Sequence, residues 1–244
     1  MTNALKARDI ALMIDHSLLQ PQLTHQNIVD GCVIAREYGT ASVCVRPCDV
    51  VLAGELLQDS GVKISTVIGF PHGSNITQIK VAEAELALSQ GAVELDMVQN
   101  IGAFLSGNHK LVEMDIAAVC GLAHAQNAIV KVILENCYLT PEQIAEACKI
   151  AEQAGADFVK TSTGYGSSGA TLDDLKIMRM SVSPTVRVKA AGGVRTLDAV
   201  LAVRAVGATR VGATATVAIM EDAMVREQAG TLVEAETGEL GQGY

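Results

Sequence analysis

Three observations predict an α/β chain folded as a single-domain (β/α)8 TIM barrel. Short runs rich in Val and Ile recur eight times along the 244 residues, and longer segments with helical periodicity separate them. No Pro- or Ser-rich linker breaks the alternation. An open, doubly wound sheet is the competing arrangement, because short strands are easily over-counted.

The strand-like runs are, in order, IALMID (10–15), ASVCV (41–45), KISTVIG (63–69), AVELDMV (92–98), AIVKVILE (128–135), DFVKTS (157–162), VRVKAA (186–191) and TRVG (209–212). Helical patterns cover 24–38, 48–59, 76–90, 109–125, 141–154, 171–181, 196–205 and 215–226. Thr140-Pro141-Glu142 sets a Thr cap before a Pro at the first helical position, with Gln143 completing a capping box. Thr171 and Thr196 precede acidic first turns in the same way. Gly39, Gly61, Gly91, Gly155 and Gly207 follow helical runs, where a left-handed residue ends a helix. The barrel is expected over 1–226. The tail, 227–244, is acidic, glycine-rich and weakly periodic, which predicts flexibility up to Tyr244.

Composition narrows the function. Aromatic residues make up 3 % and Trp is absent, so the core has to be aliphatic, as in buried parallel strands. A net charge of −9 argues against a nucleic-acid partner, which needs a basic stripe. An anionic ligand then needs a local positive site. The six cysteines lack C-x-x-C spacing and read as free thiols of a cytoplasmic protein. No apolar run reaches membrane-spanning length, and the amino-terminal stretch lacks the apolar region of a signal peptide. The five histidines show no metal-ligand spacing, so no metal and no cofactor is expected. His16 and His72 fall at strand ends, where a structural role is the simpler assignment.

Chemistry in such a barrel gathers at the carboxyl ends of the strands. The polar residues there are Asp15, His16, Ser17, Cys44, Arg46, Glu94, Asp96, Lys131, Glu135, Lys160, Thr161, Ser162 and Lys189. Lys160 and Lys189 stand out, since each sits in an apolar strand just before a glycine-rich turn. Burying an ammonium is costly without a partner or a task. Two ammonium groups about 6 Å apart at an effective dielectric near 20 repel by roughly 3 kcal/mol, or about two pKa units. One of the two then becomes a neutral amine able to form a Schiff base, with Asp96 in reach to move protons. Repulsion is symmetric, so it does not say which lysine is neutral. A plain buried Asp–Lys pair is the alternative.

The run Gly164-Tyr165-Gly166-Ser167-Ser168-Gly169 matches G-x-G-x-x-G, but the acidic residue a dinucleotide site wants about 20 positions on is missing. A phosphate cradle from the last three strand-to-helix loops fits better: Gly164–Gly169, Gly192-Gly193, and Gly212 with Thr214.

These residues carry a family resemblance. MIDHSLL (13–19), ASVCVRP (41–47), TVIGFPHG (66–73), GAVELDMVQNIG (91–102), VKVILENCYLT (130–140), GADFVKTSTGYGSSGAT (155–171) and VKAAGGVRT (188–196) together resemble the deoxyribose-phosphate aldolases, metal-independent class I aldolases. The resemblance implies a TIM barrel that reversibly cleaves 2-deoxy-D-ribose 5-phosphate to D-glyceraldehyde 3-phosphate and acetaldehyde. It assigns the Schiff base to Lys160, its perturbation to Lys189 and proton transfer to Asp96. Phosphate contacts fall on Gly164, Gly192, Gly193, Gly212 and Thr214. Asp15 and Cys44 belong to the pocket, the latter as a non-catalytic thiol. Tyr244 matches a terminal tyrosine that assists proton transfer, and a homodimer is expected. A barrel aldolase using a Schiff base on another phosphorylated sugar shares every physical feature above. Two departures stand out. Thr214-Ala215 replaces a pair of hydroxyl residues, and Gln99 stands where an aliphatic residue is usual. Losing one hydroxyl ligand predicts weaker phosphate preference.

Overall fold

The computed structural model describes residues 4–235. Eight parallel strands close into a barrel: β1 (Ile14–Leu18), β2 (Ser42–Val45), β3 (Lys63–Ile68), β4 (Glu94–Val98), β5 (Ile129–Ile133), β6 (Phe158–Lys160), β7 (Arg187–Ala191) and β8 (Ala208–Ala213). Closure is by β8 on β1, with Asp15 beside Gly212. Helices form the outer ring: α1 (Ala7–Ala11), α2 (His25–Tyr38), α3 (Val50–Leu56), α4 (Thr77–Ser89), α5 (Ile101–Leu105), α6 (His109–His124), α7 (Pro141–Gln153), α8 (Leu172–Ser181), α9 (Leu197–Ala205) and α10 (Thr216–Gln228). Thr140, Thr171 and Thr196 accept hydrogen bonds from the backbone N–H of Gln143, Asp174 and Ala199, as their caps predict.

The differences from the sequence reading lie in short segments. The run at 10–15 is not one strand: Ile10 and Ala11 close a five-residue helix, and the strand starts at Ile14. A brief apolar run does not reveal its period. The same limit hid α5, capped by Asn100. The pattern at 48–59 resolves into a 3₁₀ turn and the shorter α3. The expected tail begins inside α10. Beyond that helix the chain turns back, with Leu232 buried and its carbonyl accepting from the N–H of Leu5 at 3.0 Å. Glu234 pairs with Arg204 at 2.9 Å. Tyr244 lies outside the described residues. Among the described residues no helix is long and apolar enough to cross a membrane.

Lys80 of α4 and Asp115 of α6 form a buried ion pair, and the Lys80 ammonium also donates to the Val98 carbonyl at 3.0 Å. This clamps two outer helices to the end of β4. Asp115→Ala is expected to lower unfolding free energy by ~3–5 kcal/mol, because it strands a buried charge. Replacing both residues with Met and Leu is expected to cost less than that single change. Urea unfolding of the two variants makes the comparison.

Candidate active site

Parallel pairing sets Lys160, Lys189 and Arg210 side by side on β6, β7 and β8. Inside the barrel these three cations meet Asp15 of the adjoining β1 and, across the interior, Glu94 and Asp96 of β4, and Lys131 of β5 sits beside Asp96. All seven side chains are buried.

Six of them close a ring of alternating charge. Asp96 Oδ2 accepts from Lys189 Nζ at 2.7 Å, and Lys189 reaches Asp15 Oδ2 at 2.5 Å. Asp15 Oδ1 accepts from Arg210 Nε at 2.9 Å, and Arg210 Nη2 donates to Glu94 Oε2 at 2.8 Å. Glu94 Oε2 pairs with Lys131 Nζ at 2.7 Å, and Lys131 returns to Asp96 Oδ1 at 2.7 Å. With all six charged, the ring is neutral. Lys160 is the seventh, joined to it only by a 2.7 Å hydrogen bond to Asp96 Oδ2, the oxygen that also serves Lys189.

This asymmetry separates the two lysines. Burial presses down on both ammonium groups. For Lys189, Asp15 and Asp96 together more than offset it and hold the amine above the usual lysine range. For Lys160, burial wins over Asp96, the charge of Lys189 adds to it, and the amine lies below that range. Burial also raises the two carboxyls, but the surrounding lysines, and Arg210 for Asp15, overcome it and keep Asp15 and Asp96 ionised.

Lys160 and Lys189 open into a cavity of about 230 Å³ at the carboxyl end of the barrel. Asp15, Cys44, Gly164, Gly192, Gly193, Gly212 and Thr214 all line it. Asp96 is fully buried just beneath, against Lys160 and Lys189. The Cys44 thiol is pushed up by burial and stays protonated at neutral pH. The β6 and β7 loops are packed backbone to backbone: the N–H of Ala170 donates to Gly192 O at 3.0 Å, and a Cβ on Gly169 would stand 2.4 Å from that oxygen. Ala215 precedes α10 without any side-chain cap.

Other strand-end residues fall elsewhere. His16 is buried against Thr216 Oγ1 at 2.8 Å, and burial pushes it down to about 4, so it is neutral. His72 lines a neighbouring cavity with Glu135 and Tyr165. Arg46 pairs with Asp49. Gln99 is buried away from the cavity and donates to Leu134 O at 2.8 Å. The sequence reading passed over Arg210 and Glu94 as partners, and over Gln20 and Arg195 in the cavity wall. Period-two alternation holds the signal for Arg210, two residues before Gly212 on the same face of β8.

A profile of the DeoC/LacD family aldolases matches residues 10–222. The chain belongs to this family of aldolases. Deoxyribose-phosphate aldolase of Thermococcus gammatolerans is 50 % identical over 217 residues, covering 88 % of this chain and 96 % of that one. The enzyme of the same name from Caldanaerobacter subterraneus is 49 % identical over 215 residues, covering 88 % and 93 %. Among solved structures, a tetrameric deoxyribose phosphate aldolase from Aeropyrum pernix superposes with a TM-score of 0.83 at 31 % identity, covering 89 % of this chain and 92 % of that one. As a member of the DeoC/LacD aldolases, this chain is a carbon–carbon lyase built on a single (β/α)8 barrel.

Proposed function

We propose that the protein cleaves 2-deoxy-D-ribose 5-phosphate reversibly to D-glyceraldehyde 3-phosphate and acetaldehyde, through a Schiff base on Lys160. The observation that carries this reading is the single amine left outside a neutral ionic ring, at the mouth of a cavity with three glycine loops.

The free amine of Lys160 attacks the aldehyde carbon of the open-chain sugar. Loss of water from the carbinolamine gives an iminium. A base removes the proton of the 3-hydroxyl, the C2–C3 bond breaks, and its electron pair flows to the iminium nitrogen. This releases D-glyceraldehyde 3-phosphate and leaves an enamine. Protonation at carbon and hydrolysis then free acetaldehyde and Lys160. Asp96 Oδ2 bridges both pocket lysines, so a proton passes between them across it. Held well below the usual carboxylate range, Asp96 hands such a proton on and does not keep it. The loops bearing Gly164, Gly192, Gly193, Gly212 and Thr214 cradle the phosphate with backbone N–H groups.

Incubation with acetaldehyde and borohydride should place an N-ethyl group on Lys160, read by peptide mass mapping. Absence of that adduct would overturn the reading. Activity that survives exhaustive chelation separates the mechanism from metal-dependent aldol cleavage.

Ala215 gives the cradle a hydrogen-bonding side chain fewer. Ala215→Ser is expected to raise kcat/KM on the phosphorylated substrate several-fold over that on free 2-deoxyribose, and to stabilise α10 by ~1 kcal/mol as a new cap. Equal efficiency of the two proteins on the phosphorylated substrate counts against phosphate selection at this position. Tyr244 is proposed to assist protonation of the enamine carbon. Its removal should slow proton exchange on acetaldehyde and leave imine formation unchanged. A homodimer and a cytoplasmic setting complete the proposal. The six unpaired cysteines support the setting, and sedimentation tests the assembly.

A further inference from the structure

Four members of the ionic ring do not line the catalytic cavity: Asp96 lies beneath it, and three others sit deeper. Lys131 is fully enclosed, and Glu94 and Arg210 line a separate cavity of about 270 Å³ with Arg8, Thr40 and Lys63. The ring therefore crosses the barrel interior from the catalytic cavity to this second one. We propose that Lys131, Arg210 and Glu94 are positioning residues that select Lys160 as the nucleophile, by completing a neutral ring that leaves Lys160, of the three lysines at the barrel centre, without a counter-charge of its own.

The argument is one of occupancy. Asp96 has two oxygens; Lys131 takes Oδ1, and Lys189 shares Oδ2 with Lys160. Asp15 gives Oδ1 to Arg210 and Oδ2 to Lys189. Glu94 is shared by Lys131 and Arg210. No carboxylate oxygen of the ring is left for Lys160 alone. Proton affinity at Lys160 then follows the net charge of the ring. Removing a cation makes the ring negative and draws a proton onto Lys160. Removing an anion makes it positive and drives the proton off. Of the other groups near Lys160, Cys44 is protonated, and Glu135 beyond β5, raised by burial, turns to Thr163, whose N–H it accepts at 3.1 Å, and makes no hydrogen bond to Lys160.

This proposal rests on the aldolase reading, and one experiment separates the two. The rate of borohydride trapping by acetaldehyde is followed against pH for wild type, Lys131→Met, Lys131→Arg and Glu94→Gln. Lys131→Met is expected to move the midpoint up by about one pH unit, a roughly tenfold slower rate below it. Lys131→Arg should return the midpoint to the wild-type value. Glu94→Gln should move it down. A common loss at every pH with an unmoved midpoint means that these residues merely hold the fold, and overturns the proposal. Should Lys131→Met not fold, the Glu94→Gln arm decides: an unmoved or raised midpoint overturns the proposal. No Lys160 adduct in wild type overturns the aldolase reading instead, and the proposal with it.

Discussion

Lys189→Leu should move the acid limb of the aldolase pH profile up by about two units and cut kcat/KM near pH 7 by roughly 100-fold. Lys160 and Lys189 both lie 2.7 Å from the same Asp96 oxygen, so their nitrogens are no further apart than twice that distance. At roughly 5 Å and an effective dielectric of 20, like charges repel by about 3 kcal/mol, or about two pKa units. Without Lys189 that repulsion is gone and Asp96 turns wholly to Lys160. The Lys160 amine is then protonated at neutral pH. Raising the pH should restore imine formation, measured by borohydride trapping, although turnover stays low because the second lysine also moves protons. Full activity at neutral pH in this variant would show that the two lysines are not coupled.

Asp96→Asn should do more damage, and no pH should repair it. The change leaves Lys131, Lys160 and Lys189 around a neutral amide. It also removes the acceptor shared by the two pocket lysines. A stranded buried charge costs ~3–5 kcal/mol, which lowers Tm by roughly 10 °C in a chain of this size. Activity should fall on the order of 10³-fold across pH 6–9. Turnover kept, with the acid limb moved down, would mean that Asp96 only balances charge. Acid unfolding offers a second readout. Asp15 and Asp96 are held below their ordinary value of 3.8 in the folded chain. Their contribution is therefore whole above that pH and is lost as pH falls through it toward the folded-state values. Wild type should lose stability steeply below about pH 4, and Asp96→Asn less steeply over the same interval.

Much of this was legible from residue pattern. Alternation of Val- and Ile-rich runs with capped helices marks the barrel, and strand ends mark Lys160, Lys189, Asp96 and the glycine loops. Segments of five residues, such as α1 and α5, carry too few turns to show a period. Which lysine holds its proton more weakly was not legible for a different reason. It depends on how carboxylate oxygens are shared among strands 35 to 195 residues apart, as Asp96 with Lys131 and Asp15 with Arg210 show. Arg210 in TRVG reads as one more strand residue until β8 is placed beside β1. Motif resemblance assigned the Schiff base to Lys160. The ring supports that proposal independently, since it leaves Lys160 the more weakly paired of the two pocket lysines.

The ring also gives the barrel two kinds of interior with different responses to heat. The outer layer between strands and helices is mostly aliphatic apart from the Lys80–Asp115 pair, and the stabilisation apolar area gains levels off on warming. Buried ions behave otherwise: their hydration in the unfolded chain becomes less favourable as temperature rises, so the penalty for enclosing them shrinks. Warming therefore shifts the balance of stability toward the charged centre. The framework that holds the reacting amine should be among the last parts of the molecule to loosen.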